Sequence, residues 1–280
     1  MVRLIKSMRV FIFFICIALA PKIVAADNEK HVIGVHPAGF FSAFTGVLNQ
    51  LSWCQKNNKI PVVYWDIYSF YYNPNGLNGS YNAWEYYFEP VSSLKYELGD
   101  IIHYGYSIGP SDFYYASTDQ SKRDHAYRLI SKYIKINKPV QQKIDQFYQE
   151  NMINKNTIGI HLRGTDKYKE ESLISAQQMI ETALLYADAD TQFLIATDEQ
   201  QLLDTLISLL KDHKVIYYDC YRSTNGQPLH SRKPYLPQIG EDVLVEVQLL
   251  SKCNIFIHTL SNVSAGVLYF NPHLKHVLVR

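Results

Sequence analysis

The chain has 280 residues, of which 47% are hydrophobic and 19% charged. Such a composition supports one large buried core or two modest ones and excludes a disordered chain. Its formal charge is +1, but Arg3, Lys6, Arg9 and Lys22 all precede residue 27, and without them 23 basic side chains face 26 acidic ones, a charge of −3 that argues against a nucleic-acid partner.

Residues 1–26 read as a signal peptide or signal anchor. Basic residues precede an apolar run from Val10 to Ala20, and Val24-Ala25-Ala26 resembles a small-residue cleavage site. The run is short for a membrane span. Ile23 to Ala26 prolong its apolar character past Pro21 and Lys22, so membrane association through an uncleaved segment stays open beside cleavage. An exported protein, a bacterial membrane anchor and a Golgi-type lumenal protein are all compatible with such a segment. Cys16 falls within it. Cys54, Cys220 and Cys253 lack the paired spacing of a zinc site or disulfide framework and read as buried apolar fillers rather than ligands.

Val32 to Val35 is a β-type run, PAGFFSAFTG reads as a glycine-bearing loop, and Val47 to Asn57 carries Leu48, Leu51 and Cys54 at helical spacing. Strand, loop and helix begin a Rossmann-like unit, with Ile60 to Tyr64 as its second strand. Tyr64 to Tyr115 is crowded with aromatics and broken by NPNGLNGSYN, and it shows no clear period. Lys122 to Glu150 is helical in pattern, with Tyr127, Ile130, Tyr133 and Ile134 on one face and Pro139 dividing it, as in a linker between two domains.

Beyond it the elements alternate. Strands are expected at Thr157 to Leu162, Gln192 to Ala196, Lys214 to Tyr218, Ile255 to His258 and Val277 to Val279. Helices are expected at Ser175 to Asp188, Gln200 to Leu210, Glu241 to Ser251 and Ser264 to Phe270, with a long loop from Asp219 to Gly240. This order predicts a parallel sheet covered on both faces.

Three loops, HLRGTDKYKEE, ATDEQ and HTLSNVS, follow strands of this second half, so they converge at one sheet edge, where ligands of open α/β sheets sit. Arg163 is the conspicuous residue, because its guanidinium offers a fixed fork of donors that matches phosphate oxygens. His161 reads either as a core histidine or as a partner of Arg163 on the same strand face. Asp198 and Glu199 suit an ordinary helix start as well as a site. Ser261, Asn262 and Ser264 can cap a helix, or with its exposed N–H groups form an anion pocket. The chain has no GxxxxGK[ST] loop, GxGxxG fingerprint, GxSxG elbow or HExxH helix.

HLRGTDKYKEE, FLIATDE and EDVLVEVQLLSKCNIFIHTLSNVS together resemble, in order and spacing, the motifs of α1,6-fucosyltransferases, both the core N-glycan enzymes and the rhizobial nodulation enzymes. A fainter likeness runs through AGFFSAFTGVLNQLSWCQKNNKIPVVYW. The resemblance implies an α/β fold of GT-B type, with two Rossmann-like domains whose parallel sheets face a cleft. Residues 27–150 would form the acceptor-side domain with its helical linker, and residues 151–280 the nucleotide-sugar-binding domain. It also implies an enzyme that transfers fucose from GDP-fucose to a glycan hydroxyl, with no cofactor and no metal.

Carried over by position, Arg163 would clamp the donor diphosphate, His161 would stand beside the guanine, and Glu246 would recognise the guanine where the family has an aspartate. Asp166, Lys167, Asp198, Glu199, Ser261, Asn262 and Ser264 would complete the donor side. Glu171 would be the base on the acceptor hydroxyl, while Gly39 and Asn49 would face the cleft from the first domain. Gly164 replaces the second of the family's two adjacent arginines, and Arg232 or Lys233 in LHSRKPYLP could supply the missing charge. Most rings of the aromatic-rich stretch read as packing residues, and WEYYFEP, from Trp84 to Pro90, is the run to test for stacking on sugars. The rival readings are a GT-B enzyme using another nucleotide sugar, and a catalytically inactive binder of glycans or nucleotides, for which Gly164 is the argument.

Overall fold

The computed structural model describes residues 29–104, 112–115, 118–165, 174–229 and 237–280. Two all-parallel sheets are formed. The first has β1 (Lys30–Gly34) between β2 (Ile60–Val63) and β3 (Ile102–Tyr104). The second runs β6 (Lys214–Ile216), β5 (Gln192–Ala196), β4 (Thr157–His161), β7 (Ile255–His258), β8 (Lys275–Leu278). Parallel neighbours need crossovers. Those of the second sheet contain α4 (Ala176–Leu184), α5 (Gln200–Leu209), α6 (Pro237–Leu250) and α7 (Asn262–Phe270). All five residues of β4 are buried, which is why TIGIH reads as an apolar run without alternation.

The first helix departs from the sequence reading. α1 spans Phe40–Lys56, so FFSAFTG belongs to the helix and the loop is confined to Val35–Gly39. Thirteen of its residues are buried, Gly46 and Thr45 among them. A helix covered on nearly every side has no amphipathic stripe to betray where it starts.

Pro139 divides the helical stretch as expected, by opening a second helix. α2 (Gln120–Tyr133) ends before it, and Pro139 lies in the first turn of α3 (Lys138–Asn151), where its missing N–H costs nothing and Asn137 caps the helix. The buried face of α2 consists of Arg123, Ala126, Leu129 and Ile130, while Tyr127 is exposed. α2 packs on α7 and α1, and α3 packs on α6, so both helices join the core. That core extends from Ile33 and Phe44 through Trp84 to Leu250 and Leu268. A second cluster lies beneath α4 and α5.

Close approach between the halves depends on Gly266 of α7. A Cβ at that position would lie 2.5 Å from Cε1 of Phe41 on α1. The aromatic run WEYYFEP fills the same region. Trp84, Tyr86, Tyr87 and Phe88 are buried, with Trp84 and Phe88 rings 4.2 Å apart and Tyr87 edge-on to Phe40 at 4.9 Å. These rings are core, not a platform for sugars, because they bring large apolar area to the junction of the sheets. Among the described residues, no helix is long and apolar enough to cross a membrane. Residues 1–26 lie outside the described residues.

Candidate active site

A cleft of about 310 Å³ opens between the two sheets, within the range of small-ligand sites. Its first wall is the start of α1, from Ala38 to Ser42, with Tyr71. Opposite stand His161 and Arg163 after β4, Thr197 and Asp198 after β5, and Asn262 at the start of α7. β4 is the strand from which the order departs in both directions, toward β5 and toward β7. Loops diverge there and leave a crevice beyond the strand ends.

Arg163 lines this cleft, with Nε 3.9 Å from Oδ2 of Asp198. Asp198 does more to hold the loop than to present a free carboxylate. Its Oδ1 accepts the Gly164 N–H at 2.8 Å, and its Oδ2 accepts the Thr165 hydroxyl at 2.7 Å. Charge-assisted bonds of this kind strap the loop after β4 to the loop after β5 and fix where Arg163 emerges.

Glu199 is placed differently from the donor-side role expected of it. It stands at the start of α5, outside the residues lining the cleft, and packs against Gly164. A Cβ at Gly164 would collide with the Glu199 carboxylate and lie 3.1 Å from Glu199 Cβ and 3.2 Å from Leu202 Cδ2. Glu199 and Leu202 thus occupy the space into which a second arginine would have to start.

His161 and the serines form one network. The Ser264 hydroxyl donates to the Thr259 carbonyl at 2.8 Å and accepts from Ser261 at 3.0 Å. His161 Nδ1 is 3.0 Å from the same Ser264 oxygen. Ser264 has spent its single proton on a carbonyl that can only accept, so Nδ1 of His161 carries the proton and donates. Ser261 caps α7 by accepting the Ser264 N–H at 2.9 Å. Both serines are buried and do not line the cleft, so they position His161 and α7 and do not themselves meet a ligand.

Asn262 does line the cleft, and its Oδ1 accepts the Tyr115 N–H at 3.3 Å. Val263 follows it there, which brings the amino end of α7 to the site. The amino end of α1 faces it too, because Gly39, its N-cap, and Phe40 to Ser42 line the same cleft. Gly39 has no side chain with which to cap those N–H groups. Two helix amino ends and a guanidinium give the cleft a positive field suited to an anion.

Across from them α6 presents Asp242 and Glu246, four residues apart on one helical face. Arg222 Nη2 lies 3.3 Å from Oε1 of Glu246, and the Cys220 thiol donates to the same oxygen at 3.4 Å. Among the described residues Oε2 has no hydrogen-bond partner. Burial pushes the carboxyl up to about 7, outweighing the opposing pull of Arg222 and Cys220, while Asp242 and Asp198 add to the rise. Asp242 is raised as well, first by burial. Arg222, 2% exposed in its side chain, also donates to the Tyr218 carbonyl at 2.8 Å.

Asp242 and Arg222 were absent from the residues singled out in the sequence, and Cys220 was not counted among the site residues. The spacing of Asp242 and Glu246 was a readable signal. Arg222 lies in a long loop that carries no period, and Cys220 is half-buried at the cleft where an inert core position was expected.

Asn49 does not reach the cleft. Because α1 begins at Phe40, Asn49 sits well along the helix, where its Oδ1 accepts the Phe113 N–H at 3.3 Å and holds residues 112–115. Asp166, Lys167, Glu171, Arg232 and Lys233 lie outside the described residues. Among the described residues no group of three or more His, Cys, Asp or Glu side chains could hold a metal ion.

No protein-family model matches the chain, and no curated protein matches it. Solved structures do. NodZ α1,6-fucosyltransferase co-crystallised with GDP is 18% identical, with 90% of this chain and 95% of that chain covered at a TM-score of 0.58. A mutant of Arabidopsis thaliana FUT1 in complex with GDP is 10% identical, covering 89% and 70%, at 0.54. POFUT1 in complex with GDP is 11% identical, covering 90% and 98%, at 0.51. The chain therefore has the GT-B fold that these fucosyltransferases share.

Proposed function

We propose that this chain is a glycosyltransferase that moves fucose from GDP-fucose to a glycan hydroxyl, with inversion at the anomeric carbon and without a metal. The observation that carries the reading is Arg163 at the end of β4, in a cleft that the amino ends of α1 and α7 also face. NodZ soaked with GDP-fucose and POFUT1 in complex with GDP-fucose, both of this fold, support the choice of donor.

Breaking the bond between fucose and GDP builds negative charge on the β-phosphate while an oxocarbenium-like centre forms. Arg163 and the helix N–H groups meet that charge, the electrostatic task that a metal performs in other transferases. Glu246 accepts from the guanine N1–H and N2–H through its cleft-facing oxygen. His161, its Nδ1 proton held by Ser264, stands beside the base. Asp166 and Lys167 complete the donor side, and Arg232 and Lys233 bring further positive charge. Glu171 takes the proton of the attacking hydroxyl from the opposite face. The first half of the chain presents the acceptor.

Arg163→Ala tests the assignment. Loss of a directly stabilising group lowers kcat by about a hundredfold or more. A variant that turns over GDP-fucose at the wild-type rate would overturn the reading. Thermal shifts with GDP, UDP and their sugars separate donor classes. If GDP binds while GDP-fucose is neither transferred nor hydrolysed, the chain is a nucleotide-binding homologue.

A further inference from the structure

One surface turn holds a leucine in water and is built to keep it there. The Asp100 N–H donates to the Glu97 carbonyl at 3.0 Å, and the Glu97 N–H donates back to Asp100 Oδ2 at 2.7 Å. Gly99 takes the left-handed position at φ +104°, which a side chain would strain. Leu98 at the tip is 99% exposed, and Ile101 just after it is 76% exposed.

Lys30, the first residue of β1, pins this turn. Its Nζ lies 2.7 Å from Asp100 and 3.6 Å from Glu97, and it donates to the Lys95 carbonyl at 3.3 Å. An apolar pair held out rigidly on a well-bonded turn marks a contact surface rather than a loose loop.

The position of that turn names its partner. The apolar N-terminal segment ends at Ala26, four residues before Lys30. Four extended residues reach at most about 14 Å. A segment retained in a bilayer would therefore bring the amino end of β1, and Leu98 and Ile101 beside it, to the lipid surface. The local charges nearly balance and leave little for anionic lipid to attract: Lys30 pairs with Asp100, Lys59 with Glu29 at 2.5 Å, and the exposed Lys95 is offset by the exposed Glu97. The contact is apolar. It also suits a run that is short for a span, since two weak membrane contacts hold where one is marginal.

We propose that the chain keeps residues 10–26 as a membrane anchor and that Leu98 and Ile101 seat in the interface of the same bilayer. β1 runs from this surface toward the cleft, about 16 Å for five extended residues. The cleft thus opens away from the lipid, toward acceptors in the aqueous phase.

The test uses the full chain in phosphatidylcholine vesicles, with an environment-sensitive fluorophore on Leu98→Cys and, as control, on Leu185→Cys, which is 81% exposed in the second half. The unsubstituted chain serves as the labelling blank. The Leu98 probe is expected to shift to the blue and to be strongly quenched by brominated lipid at low and high salt alike, while the Leu185 probe stays water-like. A Leu98 probe that remains water-like in vesicles would overturn the proposal. So would a shift that tracks protein concentration in lipid-free detergent, which means a second copy covers the turn. A membrane-fraction protein whose first residue lies after Ala26 would overturn it as well.

Discussion

Moving from about pH 8 to about pH 6 should weaken the binding of GDP-fucose through one residue, Glu246. In the free protein its carboxyl sits at about 7, because burial dominates over Arg222 and Cys220. The guanine N1–H and N2–H are donors, so the bound state needs the carboxylate. Donor binding therefore releases a proton below pH 7 and none well above it. One unit below the pKa only about one site in eleven is ionised, so affinity falls about elevenfold from its high-pH plateau, or about 1.4 kcal/mol.

GDP-fucose is the right ligand for this measurement, because its diphosphate is esterified at both ends and carries no group that titrates near neutrality. Titration calorimetry without acceptor, in two buffers of different ionisation heat, counts the proton directly. Glu246→Gln should bind weakly with a flat profile. A wild-type affinity that is flat over this range, or a Glu246→Gln variant with the wild-type slope, refutes the assignment of Glu246 to the base.

Acid should destabilise the fold through His258. Its Nδ1 donates to the Thr259 carbonyl at 3.0 Å, and its Nε2 accepts from His276 Nδ1 at 3.0 Å, because His276 Nε2 is 3.2 Å from Arg123, which can only donate. Burial lowers the His258 pKa from 6.5 to about 3. Above pH 6.5 neither state binds the proton, and between there and 3 only the unfolded chain does, so stability should fall by about 1.4 kcal/mol per pH unit from this group. Urea unfolding followed across that range checks the slope, and a folded-state His258 imidazole titrating near 6 in NMR spectra contradicts it. Gly266→Ala should cost about 1–3 kcal/mol by overpacking against Phe41, with part of the loss recovered in the double variant with Phe41→Leu; thermal unfolding measures both. Gly164→Arg, which restores the paired arginines of the resembling family, should lower Tm because Glu199 and Leu202 fill the space, and Gly164→Arg with Glu199→Ala should regain part of the loss.

How much of this was legible in the sequence depends on how each element meets water. β4, β5 and β7 stood out as short apolar runs, and each of the three loops behind them does contribute to the cleft. α1 was misplaced at its start, while of the face expected on α2 Ile130, Tyr133 and Ile134 do meet the core and only Tyr127 faces water. α1 lies in the core that joins the sheets, where burial on several sides erases the period that marks a half-exposed helix. The aromatic run at Trp84 was opaque for the same reason: composition cannot tell a ring that packs from one that stacks on a ligand.

The chain by itself determined the alternation of strand and helix, the parallel second sheet and the position of Arg163 at a strand end, because period and order along the chain are local properties. Only the tertiary structure decided what each polar residue of those loops faces. It made Asp198 a strap for the loop, Ser261 and Ser264 supports for His161 and α7, and Glu199 the occupant of the space beside Gly164. It also brought Arg222 and Cys220 to Glu246 from a loop without a pattern. Hydrogen bonds and desolvation depend on which atoms are neighbours in space, and those neighbours come from segments that the sequence keeps far apart.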